Sequence, residues 1–196
     1  MDAPTTTASP ETLEFLRRRR SHAARTLTTP VPDDAALRDL LAIAARSPDH
    51  GKLVPWRLVV LRKPALTRLA ALAEDRGQAL GIDPERRAKG VAQLADADLA
   101  VAVIASPRSS DRIPVIEQHL SAGAVCLALL NASLAAGWGA AWLTGWHVHD
   151  RSFAEAAFGV TGAEFVAGLV HIGTATVTPK ERPRPALDEI VTWVEA

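Results

Sequence analysis

Cysteine is almost missing from this 196-residue chain: Cys126 stands alone, so no internal disulfide can form and no Cys pair can hold zinc. Net charge is missing as well. Lys and Arg number 22 and Asp and Glu number 22, a formal balance of zero. Such a chain has no global field to draw in nucleic acid or an anionic membrane, although local patches can still act. No Gly-x-Gly-x-x-Gly follows any strand-like run, which argues against a separate dinucleotide-binding unit. The stretch Met1 to Pro10 is polar and Thr-rich, without an apolar core behind a basic cluster. It does not read as a secretory signal, and a cytoplasmic location is expected.

What is present has an ordinary globular balance, 48% hydrophobic and 22% charged, at a length that suits one compact domain. That domain is expected over residues 11–196, behind a frayed leader over residues 1–10. Ser9-Pro10-Glu11 is a helix opening: a capping hydroxyl, a proline in the first turn and an acid at the positive end of the dipole. A second helix is expected from Asp33 to Ala45, with Leu37, Leu40, Leu41 and Ala44 on one face, ended by Pro48. Trp56 to Arg62 and Leu99 to Ala105 read as buried strands, with a helix around Ala65 to Asp75 between them. Gly77 to Asp98 is helical in part. Strands are expected at Ala140 to Trp146 and Glu164 to Ala175, around a short helix at Phe153 to Phe158. The end, Pro179 to Ala196, reads as a proline-rich extended arm carrying Leu187, Ile190, Val191 and Trp193.

The dominant segment is Ile113 to Gly137, a helix roughly 37 Å long at 1.5 Å per residue. From Ala122 to Ala136 only Asn131 and Ser133 interrupt its apolar and small residues. A helix hydrophobic on every side must be buried or lie in a membrane. The uninterrupted part falls short of the ~20 residues a span needs, and Glu117, Gln118 and His119 occupy its first turns. A central helix, buried in the domain or between two subunits, is the better reading. Strands interleaved with helices around it give an α+β fold, helices covering a central sheet.

Four pieces carry candidate chemistry. Arg17-Arg18-Arg19-Arg20-Ser21 puts guanidiniums and a hydroxyl at a helix end, a phosphate grip by paired Arg hydrogen bonds, or else a solvated basic face or nucleic-acid patch. Arg46-Ser47-Pro48-Asp49-His50, running on to Pro55-Trp56, is a polar loop between a helix and a buried strand. It offers hydrogen bonds and a flat apolar wall, or is simply a turn with a core Trp. Gly137 to Trp146 surrounds three tryptophans with glycines that let backbone approach a planar ligand, or it is a core strand. Thr174 to Arg184 delivers Lys180, Arg182 and Arg184 on a proline-stiffened arm, or is a basic tail. His147 and His149 would share one face of a strand as metal ligands, but no third ligand is evident. Cys126 reads as a small core residue rather than a nucleophile, and Glu117 as a polar group near the pocket or a solvated helix turn.

In this order the four pieces resemble the nitroreductase family, and within it the small bacterial branch with a Pro-Asp-His loop; the likeness runs from about Leu13 to Arg184. The resemblance implies a mostly antiparallel central sheet covered by helices, and a homodimer with two FMN molecules at the subunit interface. It implies that Arg19, Arg20 and Ser21 contact phosphate and ribityl, and that Arg46 and His50 flank the flavin. Trp142, Leu143 and Thr144 would pass by the ring, and Arg184 would close on the phosphate. Ala132 to Gly137 matches a nicotinamide-side segment. The chain departs from the pattern at Lys52-Leu53-Val54, where many relatives carry Asn-x-Gln before Pro-Trp. Two amide contacts to the flavin edge are thereby absent. The activity implied is hydride transfer from NADH or NADPH through FMN to a small electron acceptor such as a nitroaromatic, a quinone or another conjugated electrophile. One shared site predicts ping-pong kinetics, the cofactor performing the electron chemistry without a catalytic side chain. A flavin-binding protein without turnover would share every one of these residues; nucleic-acid or membrane partners are not expected.

Overall fold

The computed structural model describes residues 7–195. Of the expected leader, residues 1–6 lie outside the described residues, and Pro10 already opens the first helix. That helix, α1 (Pro10–Arg18), is capped by Ser9, whose hydroxyl accepts from the Thr12 N–H. Next comes β1 (Leu27–Thr28), then α2 (Asp34–Ala44), capped by the Asp33 carboxylate accepting from the Ala36 N–H at 2.8 Å. β2 (Trp56–Arg62), α3 (Lys63–Ala79), α4 (Pro84–Ala95) and β3 (Leu99–Ala105) follow. The long helix α5 (Val115–Ala135) leads to β4 (Gly139–Leu143). The short α6 (Trp146–His149) and α7 (Arg151–Phe158) precede β5 (Phe165–Ala175), and α8 (Leu187–Ile190) lies in the C-terminal arm.

The sheet is antiparallel in every pairing, in the order β1-β5-β3-β2, with β4 pairing β5. β3 is buried along its whole length because both its faces are covered. Ala100, Ala102 and Ile104 meet α3 and α7 through Leu66, Leu69, Phe153 and Phe158. Leu99, Val101 and Val103 meet α2 and α5 through Leu37, Leu40, Val125 and Leu129. The molecule is thus three layers, helix–sheet–helix, with one apolar core on each side of the sheet.

One expectation needs correction, and a second is met in part by the single chain. The strand expected through Trp146 stops at Leu143, and Gly145 breaks it into α6. His147 and His149 therefore sit on a helical turn, not on one strand face; His147 is buried and His149 exposed. The second concerns α5, which is buried on one face only. Gln118, Ala122, Val125 and Leu129 point inward, while Ile116 is 61% and Leu120 66% exposed on the other face. Among the described residues it is the single helix long and apolar enough to cross a membrane.

Candidate functional site

The basic cluster is placed by the end of α1. Arg19 caps that helix, and the chain then turns to run beside β4, where the His22 N–H donates to the Ala140 carbonyl at 2.9 Å. This fixes Arg19, Arg20 and Ser21 against the sheet edge. Arg19 donates to the Ser21 hydroxyl at 3.2 Å. From the far end of the chain Glu181 reaches into the same corner, 3.8 Å from Arg20 and 3.4 Å from Arg184. The arm is anchored there by Thr176, whose N–H and hydroxyl both donate to the Thr26 carbonyl at 2.9 Å.

Charge in this corner is unbalanced. Burial, and after it the Arg184 charge, disfavour the charged form of Arg19. Burial and then Arg20 push the His22 imidazole down. Glu181 is held below the usual carboxylate range, first by the Arg182 N–H and, against its burial, by Arg20 and Arg184. One carboxylate faces the two guanidiniums of Arg20 and Arg184, and nearby the Arg19 Nε is buried with no partner. A dianionic group fits such a cluster, because each guanidinium can give it charge-assisted hydrogen bonds.

Two clefts open on either side of the 19–25 segment, both bounded by the C-terminal arm. One, about 410 Å³, is lined by Phe15, Arg19, Arg20, His22, Leu134 and Pro179. The other, about 420 Å³, is walled by α4 through Lys89 and Gln93, by Arg25, by Leu143 at the end of β4, and by Arg182, with His171 in its floor. Arg182 belongs to the basic arm singled out in the sequence; sequence reasoning missed Arg25, Lys89, Gln93 and His171 as cleft residues. A signal existed for one pair only: Lys89 and Gln93 are four apart, hence on one face of a helix, but the stretch around them has no strong apolar period.

The floor of the second cleft is polar and dry. His171 is 1% exposed, and neither of its ring nitrogens has a partner in the protein; the same holds for the wholly buried His147. Burial pushes His171 down to about 4; burial, then His171 and His149, push His147 down to about 4. Both rings are therefore neutral near pH 7, each with one donor and one acceptor. The Gln93 Oε1 is buried and unpartnered as well. A Cβ on Gly145 would lie 2.6 Å from that oxygen and 2.8 Å from His147 Nδ1, so the bare glycine is what lets the carboxamide approach the imidazole. Each buried polar group left unpaired costs about 1–3 kcal/mol.

Trp142, Leu143 and Thr144 divide. Leu143 lines the cleft, and Thr144 follows it, exposed, at the strand end. Trp142 points to the other face of the sheet, where its Nε1 donates to the Ala167 carbonyl at 3.4 Å and the indole lies flat across Gly168. A Cβ there would stand 2.0 Å from the indole nitrogen, so this residue has to be glycine.

Arg46 and His50 lie elsewhere. Arg46 is exposed after α2, and His50 Nδ1 meets Glu117 Oε2 at 2.6 Å in the first turns of α5. The loop is held tightly: the Asp49 carboxylate accepts from the Leu53 and Val54 N–H groups at 3.2 and 2.7 Å, and Ser121 donates to the Pro48 carbonyl at 2.6 Å. Lys52 and Val54 have positive φ, a conformation that side chains adopt only when their surroundings impose it. Glu117 and Leu134 mark the two ends of the problem. They are separated by 17 positions of one helix (134 − 117), about 25 Å at 1.5 Å per residue. One chain therefore keeps His50 far from Arg19 and Arg20. Cys126 is buried in the core, its thiol pushed up to about 12 by burial, and cannot act as a nucleophile. Among the described residues no group of three His, Cys, Asp or Glu side chains is arranged to hold a metal.

Known proteins share the sequence and the fold of this chain. Residues 16–174 match the profile described as "Nitroreductase family". The chain is 30% identical over 164 residues to the Escherichia coli K12 protein named "Putative NAD(P)H nitroreductase YdjA", covering 84% of this chain and 88% of that one. The fold is shared with a nitroreductase-like family protein from Bacillus cereus, with a TM-score of 0.76 at 22% identity over 99% of this chain and 100% of the other. It is shared too with a Desulfovibrio desulfuricans protein named as a "putative nitroreductase in complex with FMN", with a TM-score of 0.72 at 21% identity over 97% and 100%.

Proposed function

Because the chain belongs to the nitroreductase family, we propose that it is an FMN-dependent oxidoreductase, fed by NADH or NADPH and acting as a homodimer. The observation that carries this reading is the convergence of Arg19, Arg20, Ser21 and Arg184 in one corner beside a cleft that Arg19 and Arg20 line, next along the chain to a second, mostly apolar cleft bounded by Ala23, Ala24 and Leu143. That is an anion grip with room for an apolar-faced ring close by. FMN has a phosphate at one end and a polar-edged heterocycle at the other.

When bound, FMN supplies the redox chemistry, accepting a hydride from the nicotinamide and passing it to a conjugated electrophile such as a nitroaromatic or a quinone. The chain's part is to hold and shield the cofactor. Arg19, Arg20 and Arg184 neutralise the phosphate, with Ser21 as a further donor. Leu143 and Thr144 border the ring on one side, and Trp142, behind β4, stiffens that strand against β5. Donor and acceptor use the same open face in turn, beside the 132–137 segment at the end of α5. Ping-pong kinetics follow.

A second copy completes the site. His50 reaches a cofactor held by Arg19 and Arg20 only across a subunit interface, given the length of α5 between the two groups, and Arg46 comes from the same loop. The exposed face of α5, with Val115, Ile116, Leu120 and Leu127, is the surface such an interface covers, and it is continuous with His50 and Glu117. The C-terminal arm has no buried residue past Arg184, and its Leu187, Ile190 and Trp193 gain cover in the same way.

The test is a visible spectrum of the purified protein with the released flavin identified, followed by anaerobic addition of NADH or NADPH. Bleaching of a bound FMN spectrum and its return on addition of an electron acceptor are expected. Apoprotein that binds no FMN on titration refutes the reading. Bound FMN that neither nucleotide bleaches would make the protein a flavin carrier instead.

A further inference from the structure

The loop that carries His50 is built more firmly than an exposed turn requires. It is tied to α5 at two points one helical turn apart: Ser121 donates to the Pro48 carbonyl at 2.6 Å, and His50 Nδ1 donates to Glu117 Oε2 at 2.6 Å. Asp49 accepts from the Leu53 and Val54 N–H groups, and Lys52 and Val54 keep positive φ. A Cβ on Gly51 would collide with Ile113 Cδ1, so the turn lies close against the chain entering α5. A surface ion pair free to swing contributes little to a fold; one stitched into so rigid a loop holds its ring in one place. The cleft beside it, about 320 Å³, is lined by Leu120 and Ala124 on the open face of α5. With the Ser121 hydroxyl donated to Pro48, His50 and Glu117 are the other polar side chains lining it. We propose that Glu117 is a positioning residue, which fixes the orientation and tautomer of the His50 ring for the cofactor held by the partner subunit. The inference rests on the dimeric FMN reading and adds to it a residue that acts on the cofactor only through another.

The chemistry follows from what each group can donate. A carboxylate only accepts, so the hydrogen of a neutral His50 ring sits on Nδ1, and Nε2 is left as an acceptor. Without the carboxylate either nitrogen could carry the hydrogen, and the ring could turn. Nothing else in the loop supplies a directed side-chain acceptor. Lys52 can only donate, Leu53 and Val54 are apolar, and Asp49 uses its carboxylate on the backbone. FMN has donors to offer such an atom, in its ring N–H and its ribityl hydroxyls. Riboflavin has the same donors and lacks the phosphate.

The experiment is a double-mutant cycle on flavin affinity, with sedimentation confirming that dimers are compared. Glu117→Leu and His50→Phe are each expected to weaken FMN and riboflavin by about tenfold, the loss expected for one hydrogen bond. The double variant should lose the same tenfold and no more, because Glu117 acts only through His50. Glu117→Gln keeps an acceptor oxygen and should recover most of the loss. In 15N-histidine-labelled protein without flavin, the His50 hydrogen should reside on Nδ1 in wild type and leave it in Glu117→Leu. Both side chains are exposed in the single chain, so the variants should fold. The proposal is overturned if the two losses multiply to about a hundredfold in the double variant, or if either single variant binds flavin as wild type does. It is overturned too if Glu117→Gln recovers nothing, since the carboxylate would then act by its charge. Wild type that binds neither flavin, or binds it as a monomer, refutes the FMN or the dimer reading itself before any variant is made.

Discussion

Two charged regions of this molecule have the same kinds of side chain and opposite logic. Behind the sheet Arg57 is fully matched: it holds both oxygens of Glu164 at 2.9 and 3.0 Å and donates to the carbonyls of Phe158 and Gly159 at 3.0 Å each. Arg76 does the same with both oxygens of Asp150, at 2.7 and 3.0 Å, which in turn caps α7. At the corner made by 19–21 and 181–184, Arg20 and Arg184 share one carboxylate, at 3.8 and 3.4 Å, and Arg19 stands beside them without one. Charges that are satisfied internally hold a fold. Charges left in excess are free to hold a ligand, at the cost of mutual repulsion while the ligand is away.

The largest effect should come from the surface that joins two copies of the corner. Leu120→Glu places a carboxylate on the exposed apolar face of α5, where burial without a partner costs several kcal/mol. The dimer should dissociate at least about a hundredfold more readily. Sedimentation at micromolar concentration is the measurement, and FMN affinity should fall with the dimer. A Leu120→Glu protein that is a monomer with undiminished FMN affinity would show that one chain is enough.

Next come the excess charges. Arg20→Ala or Arg184→Ala removes a charge-assisted bond of roughly 1.5–3 kcal/mol, so FMN binding should weaken about ten- to a hundredfold. Riboflavin binding should hardly change, and the apoprotein should lose no stability, since repulsion in the corner falls. Equal losses for the two ligands would mean that these arginines act on the ring or the fold.

The matched pair should behave in the opposite way. Arg57→Met should cost about 1–3 kcal/mol in urea denaturation and leave flavin affinity untouched in the folded fraction. Its pH dependence has a definite sign. Glu164 is held down to about 2, first by the Arg57 hydrogen bond and, against its burial, by further bonds and the Arg57 charge. A depressed folded-state value means stability that is fully present above the unfolded value near 4.5 and lost as pH falls through about 2. Asp150 is lowered too, by Arg76 first, and adds to the loss at low pH. Arg57→Met should flatten this acid limb.

The smallest effect is expected at the other end of α5. His50 and Glu117 are exposed in the single chain, so Glu117→Gln should change its stability by less than about 1 kcal/mol. If the proposed dimer brings the pair to the cofactor of the other subunit, its effect on cofactor binding should appear only there.

The basic corner was legible in the sequence to a degree that the ring slot was not. Arg19, Arg20 and Ser21 follow a well-capped helix, and a proline-stiffened arm can bring Arg184 back to them from 163 positions away (184 − 21). The arginines announce themselves by type. Gln93 and His171 do not: a Gln on a weakly patterned helix and a His inside an apolar strand are unremarkable until β5, α4 and the turn at Gly145 bring them together. Strand β4 was placed too long for a similar reason. The run from Ala140 to Trp146 is apolar but for Thr144 and Gly145, and the packing of Trp146 against Gly90 and Gly77 shows why the chain leaves the sheet after Leu143.

Local sequence determined the elements whose signals are local. Ser9 and Asp33 cap their helices, and continuous apolar runs make β2 and β3 with the ends expected of them. The length of α5 is equally a matter of sequence, since nothing between Val115 and Ala135 breaks a helix. Tertiary structure alone decided which face of α5 the sheet covers and which is left open. It also decided that His50 stands a helix length away from the arginines it accompanies in sequence order. Periodicity records that a residue is apolar. It does not record how many surfaces a helix has to cover, because that number depends on the elements packed around it.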